Sequence, residues 1–161
     1  MVADDTLRSI MTKRLIAVSD DDPAIAAVRK MVDNDVGAVL VRRGGKVVGI
    51  VTERDILRSA RDEAGVLGLK VREITPHRQL ITAKPEDSPL HALTLMSENG
   101  VRRIPVAEKG KVVGIVTERS IVKWLLERPE QVLDMLTMRY PAVSRDVLVA
   151  LLRELQLRER I

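Results

Sequence analysis

Two stretches of the chain place a threonine hydroxyl three residues before a second polar side chain. In "GKVVGIVTERDI" the pair is Thr52 and Asp55, and in "GKVVGIVTERSI" it is Thr117 and Ser120. Each pair lies where a β-rich run is followed by a helical one. The free backbone N–H groups of the first helical turn therefore lie at the same place as the two side chains. A carboxylate placed there can accept both hydroxyls of a diol. Ser120 lacks the charge and the second acceptor oxygen that this role requires.

The same spacing also has a purely structural explanation. A threonine at the N-cap followed by an acidic residue at N3 is close to a capping box, in which the two residues satisfy each other's backbone N–H groups. Ser120 would still act as a weak capping residue at the second position. The spacing therefore leaves both roles open for Asp55, and the two roles can coexist at one helix start.

The two stretches belong to a longer internal repeat. Residues 36–56 match residues 101–121, and a looser similarity joins residues 15–28 to residues 80–93. Repeated units of this kind determine the architecture, because each must bury its apolar face against its neighbour. Neither unit alone would bury much surface, whereas two units packed together would.

Each unit predicts the same order of elements, β-α-β-β-α. A short apolar strand leads into a cluster of acidic and cap residues, then a stretch with helical spacing, two β-rich runs and a second helix. The predicted first strands are Leu15–Val18 and Leu80–Ala83, and the predicted hairpin turns are Gly44–Gly45 and Lys109–Gly110.

The predicted fold is α/β (α+β), with two pseudo-symmetric units packed through their sheets and a C-terminal helical hairpin. The first unit spans residues 1–66, the second spans residues 67–124, and the extension spans residues 125–161. Helical spacing over Pro129–Met138 and from Arg145 to about Arg160 predicts the hairpin.

Composition excludes several classes of function. The 161 residues are 45% hydrophobic but only 1% aromatic and contain no cysteine, which argues against disulfides, thiolate metal sites and stacking platforms for nucleic acid. The net charge of +4 is mixed in sign along the chain, so nucleic-acid binding is not expected. Because His77 and His91 lack a ligand pattern, no metal site is expected either.

Catalysis and membrane insertion are not expected. The sequence contains no nucleophile motif, P-loop or G-x-G-x-x-G, so we expect no enzymatic activity. It also contains no apolar run long enough for a signal peptide or a membrane span, and we expect a cytoplasmic location.

The motif "GVRRIPV" brings two arginines to the start of a predicted strand. Guanidinium groups bind phosphate bidentately, and strand alternation should direct only one of Arg102 and Arg103 towards the cleft between the units. Ile104 and Pro105 complete the motif. A solvated or salt-bridged arginine pair is the alternative interpretation.

Residues 7–124 resemble the cystathionine-β-synthase (CBS) domain, present as a tandem pair or Bateman module. The resemblance rests on the doubled motif, "VGAVLV…GKVVGIVTERDI" in the first unit and "GVRRIPV…GKVVGIVTERSI" in the second. The resemblance implies a regulatory module that binds an adenosyl ligand such as AMP, ADP, ATP or S-adenosylmethionine between the two units. It also implies a homodimer and no catalytic cofactor.

The resemblance assigns ligand contacts to particular residues. Thr52 and Asp55 would bind the ribose, Thr117 with Ser120 would form an impaired or empty second pocket, and arginines at "GVRRIPV" would contact phosphates. The apolar first strand would line the adenine pocket, although such residues are more often core, and for Val18 the two roles are equally open. Small residues opposite the arginine motif leave room for the ligand. These further positions are Ile16, Ala17, Val18, Gly37 and Ala38.

Two functions of different classes remain. In the first, the chain is a stand-alone metabolite or energy sensor, and residues 125–161 contact a protein effector. In the second, it is a ligand-independent dimerisation scaffold that recruits a partner through the same C-terminal helices.

Overall fold

Two matching β-hairpins form the centre of the protein, seen in a computed structural model whose described residues are 5–76, 79–128, 132, 133, 137, 146, 149 and 150. The first hairpin pairs β2 (Ala38–Arg43) with β3 (Lys46–Thr52), and the second pairs β4 (Arg103–Glu108) with β5 (Lys111–Thr117). Each hairpin has a register shift at the matching place, after Val41 in the first and after Val106 in the second. The two hairpins thus share their strand register as well as their sequence.

Both hairpin turns have the backbone conformation predicted from their sequences. Gly44 and Gly45 have φ angles of 54° and 80°, and Lys109 and Gly110 have φ angles of 49° and 76°. Positive φ at both central residues is characteristic of the type I′ turn, whose twist matches that of the flanking strands.

The first strand differs between the repeats because of one proline. In the first repeat β1 (Ala17–Ser19) runs parallel to β2, and Leu40 N–H donates to the Ile16 carbonyl at 2.9 Å. The matching residue of the second repeat is Pro105, which has no N–H to donate. The strand predicted to end at Ala83 is therefore reduced to a single parallel bridge to β4.

Helices begin where the cap residues predict them. The helices are α1 (Leu7–Ile10), α2 (Ala24–Asp33), α3 (Glu53–Asp62), α4 (Val71–Ile74), α5 (Pro89–Asn99) and α6 (Glu118–Leu126), with a 3₁₀ turn at Val66–Gly68. Ser88 caps α5 by accepting from His91 N–H, with proline at the first helical position. At α2 the acidic cluster acts differently, because the Asp22 carboxylate accepts from Ser19 N–H and leaves the helix start uncapped.

Aliphatic side chains fill the core of the first repeat. Helix α2 contributes Ala24, Ala27 and Met31, which pack with buried valines of the three-stranded sheet. Val32, which the helical spacing also places on this face, is 74% exposed. Each fully buried valine or leucine contributes roughly 1.5–3 kcal/mol, so the core does not need aromatic side chains.

The short helices connect the repeats by crossing over. Helix α1, at the start of the first repeat, packs on the second, where Leu7 N–H donates to the Asp87 carbonyl at 2.9 Å. Helix α4, at the start of the second repeat, packs on the first, where Val71 N–H donates to the Asp22 carbonyl at 2.8 Å. The main chain therefore links the two repeats in both directions.

Ion pairs reinforce the crossover symmetrically. Arg8 contacts Glu86 at 2.6 Å, and at the matching place Arg72 and Lys70 contact Asp21. The Lys70 hydrogen bond and the Arg72 charge lower the pKa of Asp21, and the Arg8 hydrogen bond lowers the pKa of Glu86. Lowered pKa values stabilise the fold above the unfolded-state pKa, and this contribution is lost as the pH falls through the folded-state pKa. Because the groups are exposed, the contribution is small.

The protein forms a second compact unit that begins at Glu118, directly after Thr117. It contains α6, and Arg128, just after the end of this helix, lies 5.2 Å from the ring centroid of Trp124 within it. The predicted C-terminal hairpin lies largely outside the described residues, although all those described from residue 132 onward are helical. In the described part of the chain, no helix combines the length and apolarity needed to span a membrane.

The glycine in the middle of each doubled strand permits a close contact. A Cβ at Gly114 would lie 2.5 Å from Met11 Sδ and 3.1 Å from Met11 Cβ, and a Cβ at Gly49 would lie 2.9 Å from Thr75 Cγ2. Met11 has little freedom to retreat, since the adjacent Thr12 exchanges two backbone hydrogen bonds with Ile115. The crossover segments thus need glycine on the strand that they pack against.

We predict that Gly114→Ala lowers the free energy of unfolding by about 1–3 kcal/mol because it overpacks this contact. Chemical denaturation measures the effect. Combining it with Met11→Ala should make the two losses strongly non-additive, since the truncated side chain no longer clashes. Gly68→Ala is the control because a Cβ there meets no atom within 4 Å. An equal loss at Gly68 and Gly114 would contradict the prediction.

Candidate functional site

Thr52 and Asp55 form a complete capping box at the start of α3. Thr52 N–H donates to Asp55 Oδ2 at 2.9 Å, Thr52 Oγ1 donates to the same oxygen at 2.6 Å, and Asp55 N–H donates to Thr52 Oγ1 at 3.3 Å. The structural role that the spacing indicates is therefore confirmed. The ribose-binding role stays a prediction.

The capping box fixes the carboxylate at the end of a sheet. Asp55 is 9% exposed, and three hydrogen bonds hold it against Thr52. The hairpin register places Thr52 opposite Ala38, and Glu53 N–H donates to the Gly37 carbonyl at 3.3 Å. The helix start thus lies directly beside the small residues Gly37 and Ala38.

A cavity of about 80 Å³ lies between the two repeats, and Ala38 lies on its wall. Three predicted site residues, Ile16, Ala38 and Arg103, line it. The remaining lining residues are Thr12, Arg14, Val36, Val39, Ile50 and Ile115. The wall is mostly aliphatic with two guanidinium groups, which suits an apolar ring that carries an anionic group.

Arg103 and Arg102 lie in different surroundings. Arg103 is partly buried and lines the cavity, whereas Arg102 is exposed and does not line it. This is the alternation predicted for the start of the strand. The register also places Arg103 opposite Thr117, as it places Ala38 opposite Thr52.

Other predicted positions lie deeper in the fold or beyond the cavity wall. Val18 is 2% exposed and belongs to the core cluster of the first repeat, which agrees with the core alternative. Ile104 is fully buried, and Pro105 is paired with Ile115 across the second hairpin. Ala17 pairs with β2 next to Ile16. Ligand binding by these residues stays a prediction.

Gly37 allows two charged groups to approach the same point. A Cβ at Gly37 would lie 2.7 Å from Arg103 Nη2 and 2.7 Å from Glu53 Oε2. The guanidinium of the second repeat and the carboxylate of the first therefore meet over a backbone that has no side chain. Glu53 lies near Arg103 without forming an ion pair, so it offsets part of the charge that Arg103 offers to a ligand.

Sequence reasoning missed several residues of the cavity wall. Ile50 and Ile115 occupy matching positions of the doubled strand, so the repeat itself could have indicated them. Thr12 and Arg14 gave no such signal, because they reach the cavity only through the crossover of the N-terminal segment.

The second repeat lacks the acid of the first. Thr117 ends β5, and Ser120 lies in the first turn of α6. The predicted loss of function at that position stays a prediction. Among the residues that the structure describes, no group of three or more histidine, cysteine or acidic side chains could hold a metal ion. His77 lies outside those residues.

Known proteins resemble this chain in sequence and in structure. The family described as "CBS domain" matches residues 7–62 and 71–127. The CBS domain-containing protein CBSX3, mitochondrial, of Arabidopsis thaliana is 36% identical over 108 residues, and the match covers 64% of this chain and 52% of that protein. The chain therefore matches about half the length of this relative.

Two solved structures extend the comparison. An uncharacterized conserved protein from Pyrococcus horikoshii has a TM-score of 0.69 and 31% identity, covering 77% of this chain and 94% of that one. The CBS domain pair of protein MJ0100, solved in complex with 5′-methylthioadenosine and S-adenosyl-L-methionine, has a TM-score of 0.67 and 25% identity, covering 74% and 98%. The predicted α+β fold of two packed units is confirmed. Since one domain family matches both repeats, the chain belongs to the CBS domain family and carries its domains as a tandem pair.

Proposed function

We propose that this CBS pair is a regulatory module that binds an adenosyl ligand in the cavity between the repeats. The observation that carries the proposal is the hairpin register, which sets Thr52, the partner of Asp55 in the capping box, opposite Ala38, a residue that lines the cavity. The aliphatic wall would contact the adenine, Asp55 would accept from the ribose hydroxyls, and Arg103 would contact a phosphate where the ligand has one.

The likeness to the MJ0100 pair supports this ligand class. Both compounds named for that pair share the adenosine moiety, so the contacts common to them are those of an adenine and a ribose. In this chain those contacts would fall on the wall around Ile16 and Ala38 and on Asp55. The proposal includes AMP, ADP, ATP and S-adenosylmethionine as candidates, and the ligand acts as a signal and is not converted.

Binding would have to change the shape of the cavity. Its volume of about 80 Å³ is smaller than the roughly 300–1,000 Å³ typical of ligand pockets. The long side chain of Arg103 can move aside to enlarge it. A ligand that favours the enlarged arrangement shifts the equilibrium towards it by its difference in affinity for the two arrangements. This shift is the regulatory signal, which a homodimer and an effector at residues 125–161 would receive.

We predict that Asp55→Ser, which copies the second repeat, weakens binding of an adenosyl ligand about 10- to 100-fold, because the ribose loses its charged acceptor. Isothermal titration calorimetry with ADP and with 5′-methylthioadenosine measures the loss. The same change should cost about 1 kcal/mol of stability through the cap. Ser120→Ala is the control and should leave affinity unchanged. Affinity that survives Asp55→Ser would contradict the ribose role.

Asp55→Glu separates the cap from the ribose contact. Glutamate at N3 is a standard capping-box partner, so stability should stay within about 0.5 kcal/mol of the original. The extra methylene displaces the carboxylate from the ribose, and we expect affinity to fall about tenfold. Thermal melts and calorimetry on one preparation measure both quantities. Unchanged affinity would mean that Asp55 only caps the helix.

A second candidate function is a ligand-independent scaffold. The observation that favours it is that Asp55 already has a complete structural role in the capping box. In this case Asp55→Ala would leave self-association unchanged, and removal of residues 125–161 would abolish it. Sedimentation velocity with and without ADP distinguishes the two functions, because only the ligand-binding module responds to ADP.

A further inference from the structure

We infer that Arg14 determines ligand specificity in this cavity: together with Arg103 it selects adenosyl ligands that carry phosphate over those that carry a sulfonium. The inference rests on the proposed adenosyl site and adds to it a residue and a choice of ligand. It follows from the position of Arg14, from the contact that holds it, and from the residue that replaces it in the other repeat.

Arg14 lies on the segment that crosses from one repeat to the other. Two residues before it, Thr12 exchanges backbone hydrogen bonds of 2.9 and 3.0 Å with Ile115 in the second repeat. Shortly after it, Ile16 accepts from Leu40 in the first repeat. The chain is therefore attached on both sides of Arg14, and all of Thr12, Arg14 and Ile16 line the cavity.

A neutral side chain orients the Arg14 guanidinium. Arg14 Nη2 donates to Asn34 Oδ1 at 2.6 Å, and Asn34 Nδ2 in turn donates to the Lys30 carbonyl at 2.8 Å. Asn34 is the C-cap residue of α2, so a helix end supports the pair. This bond engages one of the five guanidinium N–H groups and leaves the charge unneutralised. The orientation reduces the entropy that the side chain would lose on binding an anion.

The two cavity arginines have different electrostatic surroundings. Within the described part of the chain, neither Arg14 nor Arg103 has a carboxylate oxygen within 4.0 Å. Glu53 nevertheless approaches Arg103 over Gly37 and offsets part of its charge. Arg14 is exposed, and its described side-chain hydrogen bond is with the neutral Asn34.

The two repeats differ in charge at positions that line the cavity. At the offset that aligns Leu15 with Leu80, Arg14 corresponds to the neutral Gln79, and Arg103 corresponds to Ala38. Asp55 is also present only once. Arg14 and Asp55 are thus the charged residues that the first repeat has and the second lacks at this offset, whereas Arg103 and its counterpart Ala38 line the same cavity. Divergence of one repeat in this direction is what a site for an anionic adenosyl ligand requires.

The chemistry of the ligands provides the selectivity. A nucleotide attaches its first phosphate where S-adenosylmethionine has a positively charged sulfonium and where 5′-methylthioadenosine has a neutral sulfur. Guanidinium groups bind phosphate through paired N–H donors and repel a cation in a partly desolvated cavity. The order of affinity expected is ADP, then 5′-methylthioadenosine, then S-adenosylmethionine.

Calorimetry on the full chain with these three ligands tests the inference. Arg14→Gln, which introduces the residue of the second repeat, should weaken ADP about tenfold, the loss of one charge-assisted hydrogen bond. Affinity for 5′-methylthioadenosine should stay within about twofold, and affinity for S-adenosylmethionine should rise. Arg14→Lys should recover only part of the ADP affinity, since it restores the charge and not the paired donors.

Lys13→Gln is the matched control, because it removes the same charge from an adjacent exposed residue outside the cavity wall. An equal loss of ADP affinity in Lys13→Gln would overturn the inference in favour of general charge attraction. An equal loss for all three ligands in Arg14→Gln would also overturn it, since Arg14 would then only maintain the fold. Tighter binding of S-adenosylmethionine than of ADP by the unmodified chain would overturn the inference and leave the proposed function intact. Binding of none of the three would overturn both.

Discussion

The reciprocal crossover of the two repeats is the constraint on which the rest of the structure depends. Each repeat gives its leading helix to the other through backbone hydrogen bonds, from Leu7 to Asp87 and from Val71 to Asp22. A hairpin of this size would be marginal alone, and the exchange turns two such units into one folded body. The cavity is a consequence, since its wall combines two strands from each repeat with the segment that crosses between them.

Symmetry of the backbone and asymmetry of the side chains serve different purposes. The turns, the register shifts and the strand glycines are retained in both repeats because both halves of the fold need them. The side chains at the cavity are free to diverge, and there the first repeat has Asp55 where the second has Ser120. The backbone also differs at one place, since Pro105 has no N–H donor and the strand predicted beside it is reduced to a single bridge.

The sequence predicted what is local or repeated. The hairpin turns, the Thr52–Asp55 cap and the order of elements, except for the first strand of the second repeat, follow from residue types at short spacing, and the structure has them. It did not predict the crossover helices, because a helix of four residues has no periodicity to detect. Arg14 was missed because its place in the cavity depends on the path of the chain between the repeats and not on its neighbours in sequence.

The capping box and the proposed ligand contact support each other. A flexible carboxylate would lose side-chain entropy on binding a ribose, whereas Asp55 has already lost it to the helix cap. The same holds for Arg14, which Asn34 orients before any ligand arrives. Arg103 differs, because a phosphate must draw it from its place over Gly37, beside Glu53. Contacts with Asp55 and Arg14 would therefore add to affinity without movement of these side chains. Part of the binding energy would be used to move Arg103, which belongs to the second repeat and lines the cavity beside Ala38 of the first. That division is what a module needs if occupancy of the cavity is to alter the relation between its repeats.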